Sequence, residues 1–287
     1  MAAIYFGDGF SGNSGDWNSV DNWYSSKGFY CCGSDYPGTP MGRLPVDGTD
    51  TVHIVAPVTT NSPAVWNGNI VMEAGIAYPV SPAGKISSGV WNGTITGGGL
   101  GQSGTARCEL AGGTFNGTVG CRVLKISGGT FASAVSMSAS FAQSGAQNQI
   151  TGGTFNAAVV IEGLSVGTEY GSLKLPDSLI SAGTFNSTVN VKGAKVTGGT
   201  FYGAVTSNMP FPVGDKEGTA QEGSYVHTRI AGGTYMPLAT VALTKSGGAW
   251  TLDTTTLPLD PGFKQGGGTF APRITLTGLP DILGAGL

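Results

Sequence analysis

The chain has 287 residues, including 50 glycines and 15 prolines; charged residues make up 11% and the formal net charge is −3. So much glycine without a Gly-X-Y period excludes collagen, and a hydrophobic share of 40% excludes a disordered linker. No basic run is present to neutralise phosphates, which argues against a nucleic-acid partner, and no apolar run reaches the length of a membrane span.

Residues 1–63 differ in character from the rest of the chain. The opening MAAIYFGDGFSGNSGDW lacks the basic and apolar regions of a secretory leader. A chain whose native start is Met1 is therefore expected to be made in the cytosol. The segment carries the aromatics Tyr5, Phe6, Phe10, Trp17, Trp23, Tyr24, Phe29 and Tyr30. Its acids Asp8, Asp16 and Asp21 have too little pattern to assign a calcium site. Cys31 and Cys32 are expected as free thiols. With no CxxC pair, and with His53 and His227 distant from Cys31, Cys32, Cys108 and Cys121, no zinc site and no cofactor are expected.

From residue 64 to 274 one motif recurs. AGGTFNGTV begins at Ala111, TGGTFNAAV at Thr151, SAGTFNSTV at Ser181 and TGGTFYGAV at Thr197. Aligned on the aromatic there are nine copies, anchored at Trp66, Trp91, Phe115, Phe131, Phe155, Phe185, Phe201, Tyr235 and Phe270. A small residue follows two places on and an aliphatic four places on, from Ile70 and Ile95 to Val205. Aromatic, small, aliphatic at period two predicts one face of a β-strand. Five places before most anchors stands an aliphatic, such as Ile86, Leu110, Ile126, Ile150, Ile180, Val196 or Ile230, which predicts a second strand. The Gly-Gly between is expected to form a sharp corner.

Successive anchors lie 25, 24, 16, 24, 30, 16, 34 and 35 residues apart. In the short units Phe115, Val119, Cys121, Val123 and Ile126, and likewise Phe185, Val189, Val191 and Val196, are placed to face inward. The longer spacings then read as loops, around Val166–Pro176 and Asn208–Ser224. Constant strands with variable loops predict an all-β chain, a parallel β-helix or β-solenoid about 40 Å long with rungs about 4.8 Å apart. An antiparallel sandwich or β-prism is the competing fold. Residues 1–63 are expected as an irregular cap or attachment segment, and 275–287 as a short apolar tail.

The segment GDWNSVDNWYSS, followed by GRLPVDGTDTVHI, resembles the opening of Gly-rich repetitive β-solenoid proteins of phage virions and bacterial surfaces. Trp17, Asn22, Trp23, Pro45, Asp50 and Val52 carry the likeness, with glycine turns following from Gly68. It covers the N-terminal third and, generically, the repeats, and brings no catalytic residue. It implies a structural or adhesive protein. Without a leader that becomes a virion component assembled in the host cytosol, with the cell surface as the other location.

Catalysis has few candidates. A glycan depolymerase needs paired carboxylates at a groove. Glu73, Glu109, Glu162, Glu169, Asp177, Asp215, Glu217 and Glu222 are available, but none recurs at one offset on adjacent units. Asp215, Glu217 and Glu222 share an insert with Lys216 that also fits a solvated loop. His53 and His227 are expected to be ordinary strand or surface residues. No nucleophile elbow and no complete P-loop occur. Thr114-Asn116-Thr118, Thr154-Asn156 and Thr184-Asn186-Thr188 suggest an ice-binding array, interrupted where Ala132, Ala134, Tyr202 and Ala204 replace its members. The expected function is thus a non-enzymatic virion subunit, a capsid decoration, fibre or spike. It is expected to be homotrimeric and joined to other virion proteins through its N-terminal segment or tail. A glycan-binding adhesin or depolymerase acting on host-surface glycan, and an ice-binding protein, are the alternatives.

Overall fold

The computed structural model describes residues 3–7, 14–31, 34–59, 62–73, 83–98, 107–138, 148–163, 178–192, 194–206, 229–236, 238–246, 249–252, 264–270 and 273–277. Regular secondary structure among these residues is almost all β-strand, with one 3-10 turn at Val20–Asn22 and no α-helix. No helix of the described residues is long and apolar enough to cross a membrane. Two large sheets, of ten and thirteen strands, take most of the strands, and within both the repeats pair in parallel.

Each unit gives strands to both sheets in a fixed register. In the ten-stranded sheet Val52, Ile70, Ile95, Val119, Val135, Val159, Val189 and Val205 form one row. In the thirteen-stranded sheet Ile86, Leu110, Ile126, Ile150, Ile180 and Val196 form a second row. Trp91, Phe115, Phe131, Phe155, Phe185, Phe201 and Tyr235 form a third. Apart from the last residue of the first row, half-buried Val205, all three rows are buried and meet in one apolar cluster. The period-two alternation puts their polar neighbours outside.

The path within a unit differs from the sequence expectation after the aromatic anchor. Thr114–Phe115 ends a strand of the thirteen-stranded sheet, whereas Val119–Arg122 belongs to the ten-stranded one. Phe115 and Val119 therefore lie on two strands, and the chain turns at Asn116-Gly117-Thr118. The small residue is needed at this turn because units approach closely there. A Cβ on Gly117 would lie 2.0 Å from the Gly93 carbonyl oxygen.

The Gly-Gly step stays within the thirteen-stranded sheet; in four of the described units it separates two short strands with a bend, as expected, for example between Cys108–Leu110 and Thr114–Phe115. Gln149–Phe155 runs through it as one strand, with register shifts around Thr151 and Gly153 at φ +100°. There it is a bulge that carries the chain along the same sheet.

The ten-stranded sheet also reaches into the N-terminal segment. Ala3–Phe6 pairs in parallel with Thr51–Ile54, which pairs with Ile70–Met72. The antiparallel strand Trp23–Tyr24 covers the outer edge, which keeps it from pairing with another chain. Trp17 packs edge-on against Trp23, Trp66 and Trp91, with ring centroids 4.6–5.5 Å apart. At the other end Lys264–Phe270 pairs in parallel with Arg229–Tyr235. Arg273–Thr277, which includes the first residues expected in the tail, pairs in parallel with Leu238–Ser246. Residues 278–287 and the inserts Val166–Pro176 and Asn208–Ser224 lie outside the described residues.

Candidate functional site

The anchors make a column of rings. From Phe115 through Phe131, Phe155, Phe185, Phe201 and Tyr235 the ring centroids are 4.7–4.8 Å apart. From Phe131 onward the ring planes differ by only 4–6°. Each ring is buried against the next unit and contributes about 1.5–3 kcal/mol of transfer free energy, with a further increment from the aromatic pair. Trp66 meets Trp91 through an isolated bridge. Phe270 is placed by its backbone register opposite Tyr235.

Outside this column run polar rows. Thr114, Thr130, Thr154, Thr184, Thr200, Thr234 and Thr269 occupy consecutive rungs without a gap. The breaks expected at Ala132 and Tyr202 belong to the neighbouring row. In that row Asn116 donates its side-chain amide to Asn92 Oδ1, and Asn92 to Asn67 Oδ1, both at 2.7 Å. Asn67 in turn donates its backbone N–H and its amide to the Asp47 carboxylate at 2.5 and 2.6 Å. Burial pushes the Asp47 carboxyl up, but these bonds outweigh it and hold the group below its usual range. A second ladder joins Asn186 to Asn156 at 2.8 Å.

The carboxylates are dispersed. Glu109 lies between Lys85 and Lys125, at 3.2 and 3.1 Å, and also accepts from Ser127 Oγ at 2.5 Å. Burial raises its pKa, and the bonds from Ser127, Lys125 and Lys85 lower it further than that, so it stays ionised. Glu162 pairs in backbone register with Lys192 on the ten-stranded sheet. Glu169, Asp177, Asp215, Glu217, Glu222, Lys216 and His227 lie outside the described residues.

Glu73 belongs to a cluster that sequence reasoning missed. Its Oε2 accepts from Lys27 Nζ at 2.7 Å, and its Oε1 bonds His53 Nδ1. The Tyr5 ring lies 4.7 Å from the imidazole. Burial acts to raise the Glu73 pKa, but the bonds from His53 and Lys27 prevail and the group sits below its ordinary value. Burial, then the Glu73 charge, push the Tyr5 hydroxyl up. Tyr5 and His53 share a rung on neighbouring strands, and Glu73 follows Ile70–Met72 on the next. The cluster thus ties the Lys27 loop to three strands. Partners 20 and 46 residues apart give no local signal. A proton donor for glycoside cleavage needs a raised carboxyl pKa; Glu73 and Glu109 are shifted the opposite way.

No protein-family model, curated protein or solved structure matches the chain.

The residues behind the N-terminal resemblance have structural work there. Asn22 is buried, donating its amide to Ser14 Oγ at 2.7 Å and to the Asp16 carbonyl at 2.8 Å. Trp23 Nε1 donates to the Trp17 carbonyl at 2.8 Å. Asp50 accepts from the Val46 N–H at 2.7 Å and pairs with Arg43 at 3.2 Å, closing the turn after Pro45. Asp16 accepts from the Asn18 N–H at 2.9 Å, an ordinary turn contact; Asp8 lies outside the described residues. Cys108 and Cys121 are buried free thiols, both pushed up to about 12 by burial, so neither is a nucleophile at neutral pH. The side chains of Cys31 and Cys32 lie outside the described residues.

Proposed function

We propose that the two parallel sheets are walls of a β-solenoid, and that the chain is a non-enzymatic structural subunit of a phage particle. In this reading it is a capsid decoration, fibre or spike that assembles as a homotrimer. The observation that carries the proposal is the repeat-to-repeat register of the aromatic and aliphatic rows, which aligns the buried residues of successive repeats in continuous rows. Such rows support a rod and have no need of a catalytic pocket. Its outer rows of Thr, Asn, Ser and Ala are small enough for close contact between subunits, and closed cyclic symmetry follows from such contacts.

Attachment falls to residues 1–63, with 275–287 as a second contact. The large apolar residues left exposed among the described ones, Val20, Tyr36, Leu44, Val46 and Val65, lie in or immediately after that first segment. Exposed apolar side chains gathered in one part of a chain are suited to a protein partner.

Light scattering on the purified full-length protein tests the assembly, with a trimer mass expected. A monomer at all concentrations refutes self-assembly through the outer rows. Release of reducing ends from bacterial polysaccharides by the same protein refutes the non-enzymatic role.

A further inference from the structure

The asparagine ladders have a direction and a gap. Asp47 is an acceptor-only carboxylate, so it fixes which way the amides stacked on it point. Asn67 donates to Asp47, Asn92 to Asn67 and Asn116 to Asn92. Each Nδ2 therefore faces the preceding rung and each Oδ1 the following one. Asn186 donates to Asn156 Oδ1 in the same sense, which turns the Asn156 Nδ2 toward the rung before it. That rung carries Ala132: its N–H bonds the Phe115 carbonyl, as the Asn156 N–H bonds that of Phe131. Among the described residues nothing donates to Asn116 Oδ1 and nothing accepts from Asn156 Nδ2. Phe115 and Phe155 each lie 4.8 Å from Phe131, so the two free amide ends stand two rungs apart, the room that one further amide in register requires. Asn116, Ala132 and Asn156 are all exposed, which leaves the gap open to a ligand.

We propose that the gap at Ala132 binds the acetamido group of an N-acetylhexosamine in a glycan. A trans secondary amide points its N–H and its C=O in opposite directions. One acetamido group thus donates to Asn116 Oδ1 and accepts from Asn156 Nδ2, and the two ladders become one chain of hydrogen bonds whose members polarise one another. The Ala132 methyl forms an apolar floor for the acetyl methyl, and Thr130, exposed on the same rung, offers a hydroxyl to the sugar ring. Asp47, the charge in this row, stands beyond Asn92 and Asn67, so a neutral sugar suits the place. An amide side chain from a second copy is favoured less, because the exposed asparagines of its repeats are held in the same ladders. One ladder would have to break to supply it. Such a site goes beyond the virion role and does not depend on it.

The test titrates full-length protein with chitotetraose and with cellotetraose, which has hydroxyls in place of the acetamido groups. Chitotetraose is expected to bind about tenfold more tightly, the worth of two neutral hydrogen bonds, with saturation transfer from the protein strongest at its acetyl methyls. Ala132→Asn places the protein's own amide in the gap. It is expected to bring chitotetraose down to the cellotetraose affinity while the melting temperature holds or rises. Asn156→Ala, which removes the donor alone, is expected to weaken chitotetraose binding about threefold, and it decides the matter should A132N fail to fold. Equal affinity for the two sugars, no binding of chitotetraose, or undiminished binding by folded A132N or N156A each overturns the proposal. Undiminished binding by A132N together with a loss of oligomer mass gives the gap to a second copy instead.

Discussion

Replacing Asn148 with alanine removes a side chain that bonds to three successive repeats at once. Asn148 is 1% exposed. Its amide donates to the carbonyls of Met137, Ser138 and Glu162 at 3.1, 3.0 and 2.9 Å, and its Oδ1 accepts from the buried Leu124 N–H at 3.0 Å. In Asn148→Ala the Leu124 N–H is left without an acceptor in an apolar surround, at about 1–3 kcal/mol. The three carbonyls lose their shared donor, at about 1–2 kcal/mol more. The total, about 2–5 kcal/mol, is a large part of the 5–15 kcal/mol typical of a domain. Neighbouring units stack nearly independently in such architectures, so a melting curve is best joined to residue-level hydrogen exchange. The expected result is a melting temperature lower by about 10 °C and lost protection at Leu124. A change within about 0.5 kcal/mol, with Leu124 protection intact, would refute the reasoning.

Phe155→Asp buries a charge between Phe131 and Phe185, each 4.8 Å away; without a partner this costs several kcal/mol, and soluble yield should collapse. A folded F155D protein, recognised by its β-sheet circular dichroism, contradicts the stacked core. The Glu73 pKa is lower folded than unfolded, so its stabilisation is present above the unfolded carboxyl pKa, about 4.3, and is lost as pH falls through the folded value. Denaturation of Glu73→Gln should show a deficit of about 1–3 kcal/mol at pH 7 that shrinks below pH about 4; a deficit constant with pH counts against the clamp. Gly117→Ala meets the Gly93 carbonyl, whereas a Cβ at Gly120 has nothing within 4 Å. The first should cost about 3 kcal/mol or more, the second less than about 1 kcal/mol, and equal losses in urea titration would refute the close approach.

Periodicity was enough to find the buried anchors from Trp66 to Tyr235, because the same aromatic and aliphatic types return at fixed offsets in most units. It also identified the inward set of both 16-residue units, all of which are buried. It missed the change of sheet after the anchor because Gly-Gly and Asn-Gly are both turn signals, and spacing alone does not say which one changes sheet. Val123 shows a similar limit. It is a buried β-branched residue at φ 52°, where glycine is the ordinary choice, and the matching place in the other short unit is Gly193. The Asn148 contacts had a signal that went unread. Asn148 and Ser178 fill inward slots that hold Cys108, Leu124 and Ala194 elsewhere, and a polar residue in an apolar slot demands partners. The Glu73 cluster had none, since Tyr5, Lys27, His53 and Glu73 come from four distant segments.

Asn148 and Ser178 stand where the chain rejoins the thirteen-stranded sheet after leaving the ten-stranded one at Ser138 and Glu162. Ser178 Oγ donates to the Glu162 carbonyl at 2.9 Å and accepts from the Asn148 N–H at 3.2 Å. The carbonyls at the point of departure are thus satisfied by the residues of return, whatever lies between. Lengthening the chain between 138 and 148, or between 162 and 178, is therefore expected to leave the register of the two sheets unchanged. Lineages of this chain should diverge in size at these two places first, and foreign peptides grafted there should be displayed without disturbing the two sheets.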